Sequence, residues 1–487
     1  MCSKCTDFQK KIWIFGCSTF FFLTALILGL LWPLISSNML VKKLSLTPDS
    51  TNYKNWIRTP IPMYLELYLF NWTNADQVEN YTIVKPNFQQ LGPYTFKEVH
   101  ERTKLIWNDN NTITFNQRRI WNFVPELSNG TLDDEVTNLN IITLIATDYL
   151  KNAPAWEKFI INGFLKMSSS FLWEHKKVRQ LLFDGLNDRL LNLLRTIQNS
   201  SINIPFDKFG YFYNRNLSET YDGIFTMNTG VDDLNKLGEL TLWNGKKNTG
   251  MYPGKCGNVY GTTGELWPAT HENKTNITVF ATDVCRSVTL QYDSPLELFE
   301  ITGKKYIGDD RVFDNGVKYP EQSCYCTSDK CPSLAPGVFN VSQCKFGSPM
   351  FVSFPHFYLA DESYLNKLTG LKPNKSEHEF YIALEPKTGI PLDIRAQLQI
   401  NLKLEPIEGY KFYEKVPNMM VPMIWFRQRA QLTSELADQA KIALILPSVG
   451  TYIAVLFGLI AIVISIVSII IFLKRYHQTN VYEELQE

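Results

Sequence analysis

The sequence predicts a predominantly β protein: a large antiparallel sheet or barrel with a helical insert, anchored by two transmembrane helices. Three observations predict this fold class. Two long uncharged segments lie near the ends of the 487-residue chain. Short strand patterns separated by turn residues fill most of the region between them. One stretch of that region has helical periodicity instead.

The two uncharged segments cover residues 12–41 and 442–473. Each exceeds the roughly 20 residues that a helix needs to cross a bilayer. A signal peptide is the alternative for the first segment, but its apolar region is usually about 7 to 15 residues long and ends at a small-residue cleavage site. Residues 30–35 offer no such site. A buried core helix is excluded for the second by its length. We therefore predict transmembrane helices at residues 12–35 and 442–473.

Basic pairs flank the outer ends of both segments, at Lys10-Lys11 and Lys474-Arg475. The positive-inside rule therefore places both tails, residues 1–11 and 474–487, in the cytosol, although Lys42-Lys43 opposes this assignment. All ten N-x-S/T acceptor sites lie between the segments, as expected of a lumenal or extracellular surface: Asn71, Asn80, Asn110, Asn129, Asn199, Asn216, Asn273, Asn276, Asn340 and Asn374. Residues 36–441 are thus predicted to be a glycosylated ectodomain.

Charge and composition exclude two classes of protein. The chain has 48 Lys and Arg against 48 Asp and Glu, whereas nucleic-acid binders normally show a basic excess or stripe. With 45% hydrophobic and 20% charged residues, it is also unlike a disordered chain. Once the tails are subtracted the ectodomain is almost neutral, so charge-guided binding depends on a local patch.

Six cysteines lie in the ectodomain: Cys256, Cys285, Cys324, Cys326, Cys331 and Cys344. An even set in an oxidising compartment predicts three disulfides. Spacing favours pairing Cys326 with Cys331 and leaves the other pairings open. A zinc site at Cys324 and Cys326 is disfavoured, because structural zinc usually has two to four residues between paired ligands.

The tails carry two smaller signals. Cys2 and Cys5, next to the first span, predict palmitoylation, with a metal or redox pair as the alternative. Tyr482 and Leu485 have the spacing of a Tyr-x-x-apolar endocytic signal. Such a short pattern is also common by chance.

Strand patterns dominate the ectodomain. Residues 395–405 alternate strictly, which predicts a half-buried antiparallel strand, with Leu398, Ile400, Leu402 and Leu404 on one face and Gln397, Gln399, Asn401 and Lys403 on the other. Residues 64–70 are apolar on both faces except at Glu66, which suits a strand covered on each side. Residues 112–115, 278–281 and 287–292 predict further short strands.

Residues 140–200 form the predicted helical insert. A first helix is expected at residues 141–150, and two amphipathic helices follow Pro154. Their apolar residues recur at spacings of three and four: Trp156, Phe159, Ile160, Gly163, Phe164 and Met167 in one, and Val178, Leu182, Leu186, Leu190, Leu193 and Ile197 in the other.

Cations cluster on the link between the second and third predicted helices: Lys166, Lys176, Lys177 and Arg179, with His175 among them. One interpretation is a basic tip at the end of a helix bundle, which would bind anionic ligands. The alternative is a charged helix face that is simply solvated.

No sequence motif indicates catalysis or a cofactor. A Gly-x-Ser-x-Gly elbow, a His-Glu-x-x-His pair and a phosphate-binding glycine loop are all absent. His271 and His378 have no motif partner, so we interpret them as surface or packing residues. The prediction is a protein without metal or cofactor that is not an enzyme.

Seven segments together resemble the class B scavenger receptor family, which includes the fatty-acid translocase, the high-density-lipoprotein receptor and a lysosomal integral membrane protein. The segments are Tyr53-Lys-Asn-Trp56, Gly92-Pro-Tyr-Thr-Phe96, Asp283-Val-Cys-Arg-Ser287, Cys324-Tyr-Cys326, Phe351-Val-Ser-Phe-Pro-His-Phe357, Leu384-Glu-Pro-Lys-Thr-Gly389 and Val421-Pro-Met-Ile-Trp425. They run in family order across nearly the whole chain. Residues 68–74 and 208–210 resemble the insect croquemort type of this family.

The resemblance implies a β-barrel-like ectodomain with an apical three-helix bundle and an internal apolar tunnel that carries lipid toward the bilayer. It also implies the disulfides Cys256–Cys324, Cys285–Cys344 and Cys326–Cys331. The family's apical ligand-binding lysine corresponds most nearly to Lys166, with Lys176, Lys177 and Arg179 close by in sequence.

The leading hypothesis is a cell-surface scavenger receptor that mediates lipid uptake or phagocytosis. Its expected partners are fatty acids, phospholipids, sterols or lipoproteins, apoptotic-cell or microbial surfaces, and the bilayer, but not nucleic acid. The alternatives are a lysosomal receptor or chaperone of the same fold and a tethered ectohydrolase. Small residues at four-residue spacing, Ala25 and Gly29 in the first span and Gly450, Ala454 and Gly458 in the second, leave both span pairing and a homo-oligomer open.

Overall fold

The computed structural model describes residues 7–80, 84–167, 172–196, 207–269, 273–326 and 334–484. They belong to two compact units. The terminal unit contains the residues up to Ser45 and those from Glu435 onward, and the ectodomain unit is Leu46–Ser434.

Within these ranges the helices are α1 (Asp7–Leu44), α2 (Thr51–Ile57), α3 (Ile141–Tyr149), α4 (Ala155–Met167), α5 (Arg189–Thr196), α6 (Glu362–Leu365), α7 (Lys375–His378) and α8 (Ser434–Glu484). The strands are β1 (Met63–Trp72), β2 (Phe88–Asn108), β3 (Thr112–Phe123), β4 (Glu135–Leu139), β5 (Trp173–Lys177), β6 (Ile224–Asn228), β7 (Leu240–Trp243), β8 (Asn276–Ala281), β9 (Arg286–Leu298), β10 (Ile301–Ile307), β11 (Phe339–Asn340), β12 (Met350–Ser353), β13 (Tyr381–Leu384), β14 (Pro391–Leu404) and β15 (Met419–Gln431). A π turn covers Gln180–Asp184, and 3-10 turns cover Ala75–Asn80, Pro125–Leu127, Leu234–Lys236, Gly254–Gly257, Pro320–Tyr325, Ser342–Lys345 and Pro355–Phe357.

The terminal unit consists of two long apolar helices. The stretches Ile12–Leu44 of α1 and Ser434–Lys474 of α8 have mean hydropathies of 2.2 and 3.2 over their most apolar windows. Both are long and apolar enough to cross a membrane. Each helix extends beyond the bounds predicted from sequence, residues 12–35 and 442–473, because the flanking polar residues continue the helix.

The two long helices pack against each other. The Ser18 and Ser465 hydroxyl oxygens lie 2.7 Å apart, and the Trp32 indole N–H donates to the Pro447 carbonyl at 3.2 Å. A Cβ atom at Gly450 would clash with the Trp32 ring. Small residues allow such close approach, so Gly450, one of the small residues noted in the second span, permits this contact with the first.

The ectodomain is built on one large antiparallel sheet. Its strand order is β7-β6-β3-β2-β1-β15-β14-β13-β10-β9-β8, with β12 and β11 attached beside β14. The segment Gly261-Thr262 lies between the two end strands. Leu240 of β7 donates to the Gly261 carbonyl at 2.8 Å, and Phe280 of β8 donates to the Thr262 carbonyl at 2.8 Å. The sheet therefore forms a nearly closed, barrel-like structure, as predicted.

Strand β14 confirms the strand predicted at residues 395–405, but burial is not confined to one of its faces: Leu402 and Leu404 of the apolar face are 0 and 1% exposed, and most of the polar face is buried too. The polar side chains of Gln397, Gln399 and Asn401 are 0% exposed, whereas Leu398 and Ile400 are only partly buried. Hydrogen bonds satisfy the polar row. Among them, Asn401 donates to the Ser353 hydroxyl at 3.0 Å and Gln397 to the Glu379 carbonyl at 2.7 Å.

The helical insert contains the first two predicted helices as α3 and α4. Asn140 caps α3 by accepting a hydrogen bond from the Thr143 N–H at 3.1 Å. The third prediction, one continuous helix over residues 178–197, was wrong: the chain forms a π turn, then Gly185, and then the short helix α5. Gly185 has a φ of 77°, and Leu186 exchanges backbone hydrogen bonds with Phe209. Both features end helical geometry at this point.

Two disulfides join turns and loops of the ectodomain. They connect Cys256 to Cys324 and Cys285 to Cys344, which are the pairings that the family resemblance implies. Cys326 is also disulfide-bonded. Cys331, its predicted partner, lies outside the described residues.

Candidate functional site

Strands β4 and β5 form a two-stranded sheet that carries two of the four predicted cations, Lys176 and Lys177, and Arg179 follows two residues after β5. The link that carries the predicted basic tip is therefore partly a strand and not a helix end. Val136 pairs with Lys176, and Asn138 pairs with Glu174. Asn138 donates to the Phe70 carbonyl at 2.6 Å, which attaches this sheet to β1. Because side chains alternate along a strand, Glu174 and Lys176 face one way and Lys177 the other.

Glu174 and Lys176 line a cavity between the helical insert and the sheet. Most of the remaining lining is apolar: Leu69, Val136, Leu139, Ile141, Leu181 and Met423, with Asn138 and Tyr211 as further polar residues. The cavity is narrow, with room for about one water molecule. The cavity is therefore a small, mostly apolar space with charged side chains on one wall, and not an open channel.

The other three predicted cations do not line this cavity. The Lys177 ammonium and the Arg179 guanidinium both pair with Asp133, at 3.2 and 2.9 Å. These side chains are half exposed, so the pairs are solvent-screened. Lys166 is exposed in the last turn of α4. Among the described residues it contacts none of the other three. The structure thus gathers Lys176, Lys177 and Arg179 on or beside β5 but brings only Lys176 to the cavity.

The carboxyl group of Glu174 sets the electrostatics of the cavity. One of its oxygens lies 3.3 Å from the Lys176 ammonium. Its Oε1 atom is buried without a hydrogen-bond partner among the described residues. Burial raises the pKa of Glu174, although Lys176 opposes the shift. When Glu174 takes up a proton, its carboxylate no longer neutralises the Lys176 ammonium, and the ammonium is left as an unpaired positive charge.

Tyr211 adds a neutral hydroxyl. Burial, followed by the nearby Glu174 charge, raises the pKa of Tyr211, so its hydroxyl keeps its proton. Sequence reasoning missed Glu174 and Tyr211. The two-residue alternation of β5 was the available signal, but five residues carrying mostly charged side chains do not resemble a strand.

A second polar cluster is buried beside Trp425 of β15, and sequence reasoning did not predict that its members come together. The rings of His356 and His378 stack with their centroids 4.4 Å apart, and the Trp425 ring lies 5.7 Å from that of His378. His356 contacts the Gln90 amide oxygen at 2.7 Å. The interpretation of His378 as a packing residue agrees with its burial, at 6% exposure. His271 lies outside the described residues.

The glycosylation acceptors differ in exposure. Six are exposed: Asn110, Asn129, Asn216, Asn273, Asn276 and Asn374. Asn71 and Asn340 are half-buried, and the Asn71 amide oxygen accepts from the Thr137 N–H at 2.8 Å. The Asn80 side chain, Asn199, Cys2, Cys5, the Tyr482 side chain and Leu485 lie outside the described structure.

Comparison with known proteins identifies the family. The family model described as "CD36 family" matches residues 14–472. The chain is similar to Protein peste of Drosophila melanogaster, at 35% identity over 85% of this chain and 74% of that protein. It is also similar to Scavenger receptor class B member 1 of Bos taurus, at 28% identity over 92% of this chain and 87% of that protein. Sensory neuron membrane protein 2 of Manduca sexta is 28% identical over 89% of this chain and 88% of its own length.

The family match covers both long apolar helices and the ectodomain between them, so it bears on the whole two-span arrangement. The relatives include insect and mammalian proteins, and the croquemort-type assignment stays a prediction. The chain belongs to the CD36 family of class B scavenger receptors.

Proposed function

We propose that this protein is a cell-surface scavenger receptor that binds anionic lipids, lipoproteins and lipid-bearing surfaces and mediates lipid uptake or phagocytosis. Its ectodomain would face outward, with both tails in the cytosol. Family membership supports a receptor and not an enzyme. The observation that carries the choice of ligand is Lys176, a cation on the wall of a mostly apolar cavity.

In this proposal an anionic head group binds to the Lys176 ammonium. Hydrogen bonds that involve a charged group are stronger than neutral ones, and more so in apolar surroundings. The acyl chain then contacts the apolar lining, where each buried methylene contributes about 0.8 kcal/mol. Because the cavity is narrow, lining side chains such as Leu69 and Met423 must move to admit a chain. An apolar tunnel toward the bilayer is part of the proposal.

Replacing Lys176 with glutamine is expected to weaken fatty-acid binding roughly 10- to 100-fold, since one charge-assisted hydrogen bond contributes roughly 1.5–3 kcal/mol. Lys177→Gln is the matched control, because Lys177 is the next residue but pairs with Asp133 on the other side of β5. We would measure displacement of a fluorescent long-chain fatty acid from the full chain in nanodiscs, and uptake by expressing cells.

A fatty alcohol of the same length separates charge from chain length. Its affinity should not change in Lys176→Gln, because it carries no anion. Equal fatty-acid binding by wild type and Lys176→Gln would contradict the assignment of Lys176. Equal losses in both lysine variants would show that general surface charge is responsible.

Glu174→Gln is expected to strengthen fatty-acid binding severalfold at neutral pH. The substitution removes the carboxylate that lies 3.3 Å from the Lys176 ammonium, so the cation no longer has a competing partner. Because burial raises the pKa of Glu174, mild acid should have the same effect on wild type but not on Glu174→Gln. Affinity measured at pH 5.5 and 7.5 checks both statements. Weaker binding by the variant would mean that the carboxyl group itself contacts the ligand.

Residence at the cell surface is a separate part of the proposal. Labelling of intact cells with a membrane-impermeant reagent should modify the protein if it resides at the plasma membrane. Protection of the protein from the reagent in intact cells, with labelling after permeabilisation, would favour the lysosomal alternative.

A further inference from the structure

Helix α4 exposes a row of large apolar side chains to solvent. Trp156, Phe159, Ile160 and Met167 are 62, 79, 49 and 88% exposed. Trp156, Phe159 and Ile160 are three and four residues apart and lie on one side of the helix. Met167, two turns after Ile160, lies on the same side and extends the row. From sequence alone, such a row would be expected to pack into the core.

Contacts on the other side of α4 hold this orientation. Ile161 and Leu165 are 1 and 0% exposed and belong to the main hydrophobic core. The Asn162 amide donates to the Gly409 carbonyl at 2.5 Å, and the Lys158 ammonium donates to the Glu408 carbonyl at 3.1 Å. The loop that follows β14 therefore fixes α4, and the apolar row cannot turn inward without breaking these contacts.

The size of the row indicates what kind of partner it fits. Thirteen residues make a helix about 20 Å long and 10 Å wide, so the row covers about 200 Å². A stable protein interface buries about 800 Å² on each partner. By contrast, a helix that lies at a membrane surface buries one apolar face with Trp, Phe or Leu and keeps its cations at the head groups. Lys166, exposed in the last turn of α4, can supply such a cation.

We propose that α4 inserts its apolar row into the phospholipid surface of an approaching particle, with the helix lying in the plane of the head groups. This inference rests on the proposed function, since it concerns the same lipid-bearing ligands. It adds a contact that depends on the particle surface and not on the single lipid molecule held at Lys176. Capture of a surface by α4 and binding of a head group at Lys176 are then separable steps.

The test is capture of fluorescent phosphatidylcholine vesicles by the full chain on expressing cells. Phe159→Ser is expected to reduce capture roughly 10- to 100-fold, since burying an exposed phenylalanine contributes roughly 1.5–3 kcal/mol. Phe299→Ser makes the same chemical change on an exposed phenylalanine, 42% exposed in the β9–β10 turn, and should leave capture unchanged. Surface labelling confirms equal amounts of each variant.

Adding about 20 mol% phosphatidylserine to the vesicles tests the charge contribution. Lys166→Gln should weaken capture of these vesicles more than of neutral ones, because basic residues near an anionic surface contribute about 1 kcal/mol each. The α4 proposal would be overturned if Phe159→Ser captured neutral vesicles as well as the wild-type protein does. It would also be overturned if the wild-type protein captured no vesicles. Binding of a monomeric fatty acid, which depends on Lys176, should be normal in Phe159→Ser. If the wild-type protein did not bind the monomeric fatty acid, the proposed function itself would be contradicted.

Discussion

Lowering the pH from 7 to 4.5 is expected to reduce the free energy of unfolding of the ectodomain by roughly 2–3 kcal/mol for each of His356 and His378. Burial lowers the pKa of His356 to about 3 and that of His378 to about 4. A charge on the neighbouring His378 ring would further oppose protonation of His356, and the Arg427 guanidinium opposes protonation of His378. In the unfolded chain both would titrate near about 6.5. Their contribution is therefore complete above pH 6.5 and declines as the pH falls toward 4.

Hydrogen-bond geometry explains why both rings are neutral. The Nδ1 atom of His356 accepts from the Lys372 N–H, and that of His378 accepts from the Asn374 N–H, both at 3.0 Å. A backbone N–H can only donate, so neither Nδ1 atom carries a proton. Protonation would break these bonds and place two cations face to face beside Arg427.

Thermal unfolding of the solubilised full chain at pH 4.5, 5.5, 6.5 and 7.5 checks the prediction. The double variant His356→Gln/His378→Gln should lose most of the difference between pH 6.5 and 4.5, since glutamine can accept the same N–H groups without titrating. His175→Gln, at an exposed position on β5, is the control and should keep the wild-type pH dependence. An unchanged pH dependence in the double variant would assign acid sensitivity to other groups.

His100 should make the folded ectodomain less stable as the pH rises, which is the opposite of the effect of His356 and His378. Its two ring nitrogens lie 2.6 Å from a Glu265 oxygen and 2.5 Å from a Glu98 oxygen. These two carboxylates raise the pKa of His100 against the effect of burial. The contribution of His100 is complete below about pH 6.5 and declines as the pH rises through its raised folded pKa. Stability should therefore be greatest near neutral pH.

Much of the fold could be predicted because its signals are local. The two spans follow from uncharged length, and β1 from apolar residues on both faces. Strand β14 shows the limit of this reasoning. Alternation predicts the strand, but burial of its polar face depends on partners far away in sequence, such as Ser353 and the Glu379 carbonyl, which satisfy the polar row.

The candidate site was less predictable than the fold. Sequence singled out the cations but could not separate Lys176 from Lys177, because that distinction depends on a strand of five residues. The same limit applies to α4, where periodicity predicts the helix and its apolar row. Only tertiary packing decides that Ile161 and Leu165 face the core and Phe159 faces solvent.

Arg427→Met is expected to lower the free energy of unfolding by about 3–5 kcal/mol, because it removes one partner of a buried ion pair. Arg427 is 9% exposed. Its guanidinium donates to Glu66 at 3.1 Å, to the Gln397 amide oxygen at 3.0 Å and to the Glu377 carbonyl at 2.8 Å. The loss would leave the Glu66 carboxylate and the fully buried Gln397 oxygen without this donor.

Arg429 provides a matched control, since it lies two residues further along β15 and also faces Glu66, at 3.9 Å. Its side chain is 49% exposed, so Arg429→Met should cost less than about 1 kcal/mol. The double variant Arg427→Met/Glu66→Gln should recover part of the loss, because no unpaired carboxylate is then buried. Thermal unfolding of the four proteins at pH 7 gives the comparison. If Arg427→Met and Arg429→Met unfold at the same temperature, the buried polar row of β14 is held without Arg427, and the energetic role given to this residue is wrong.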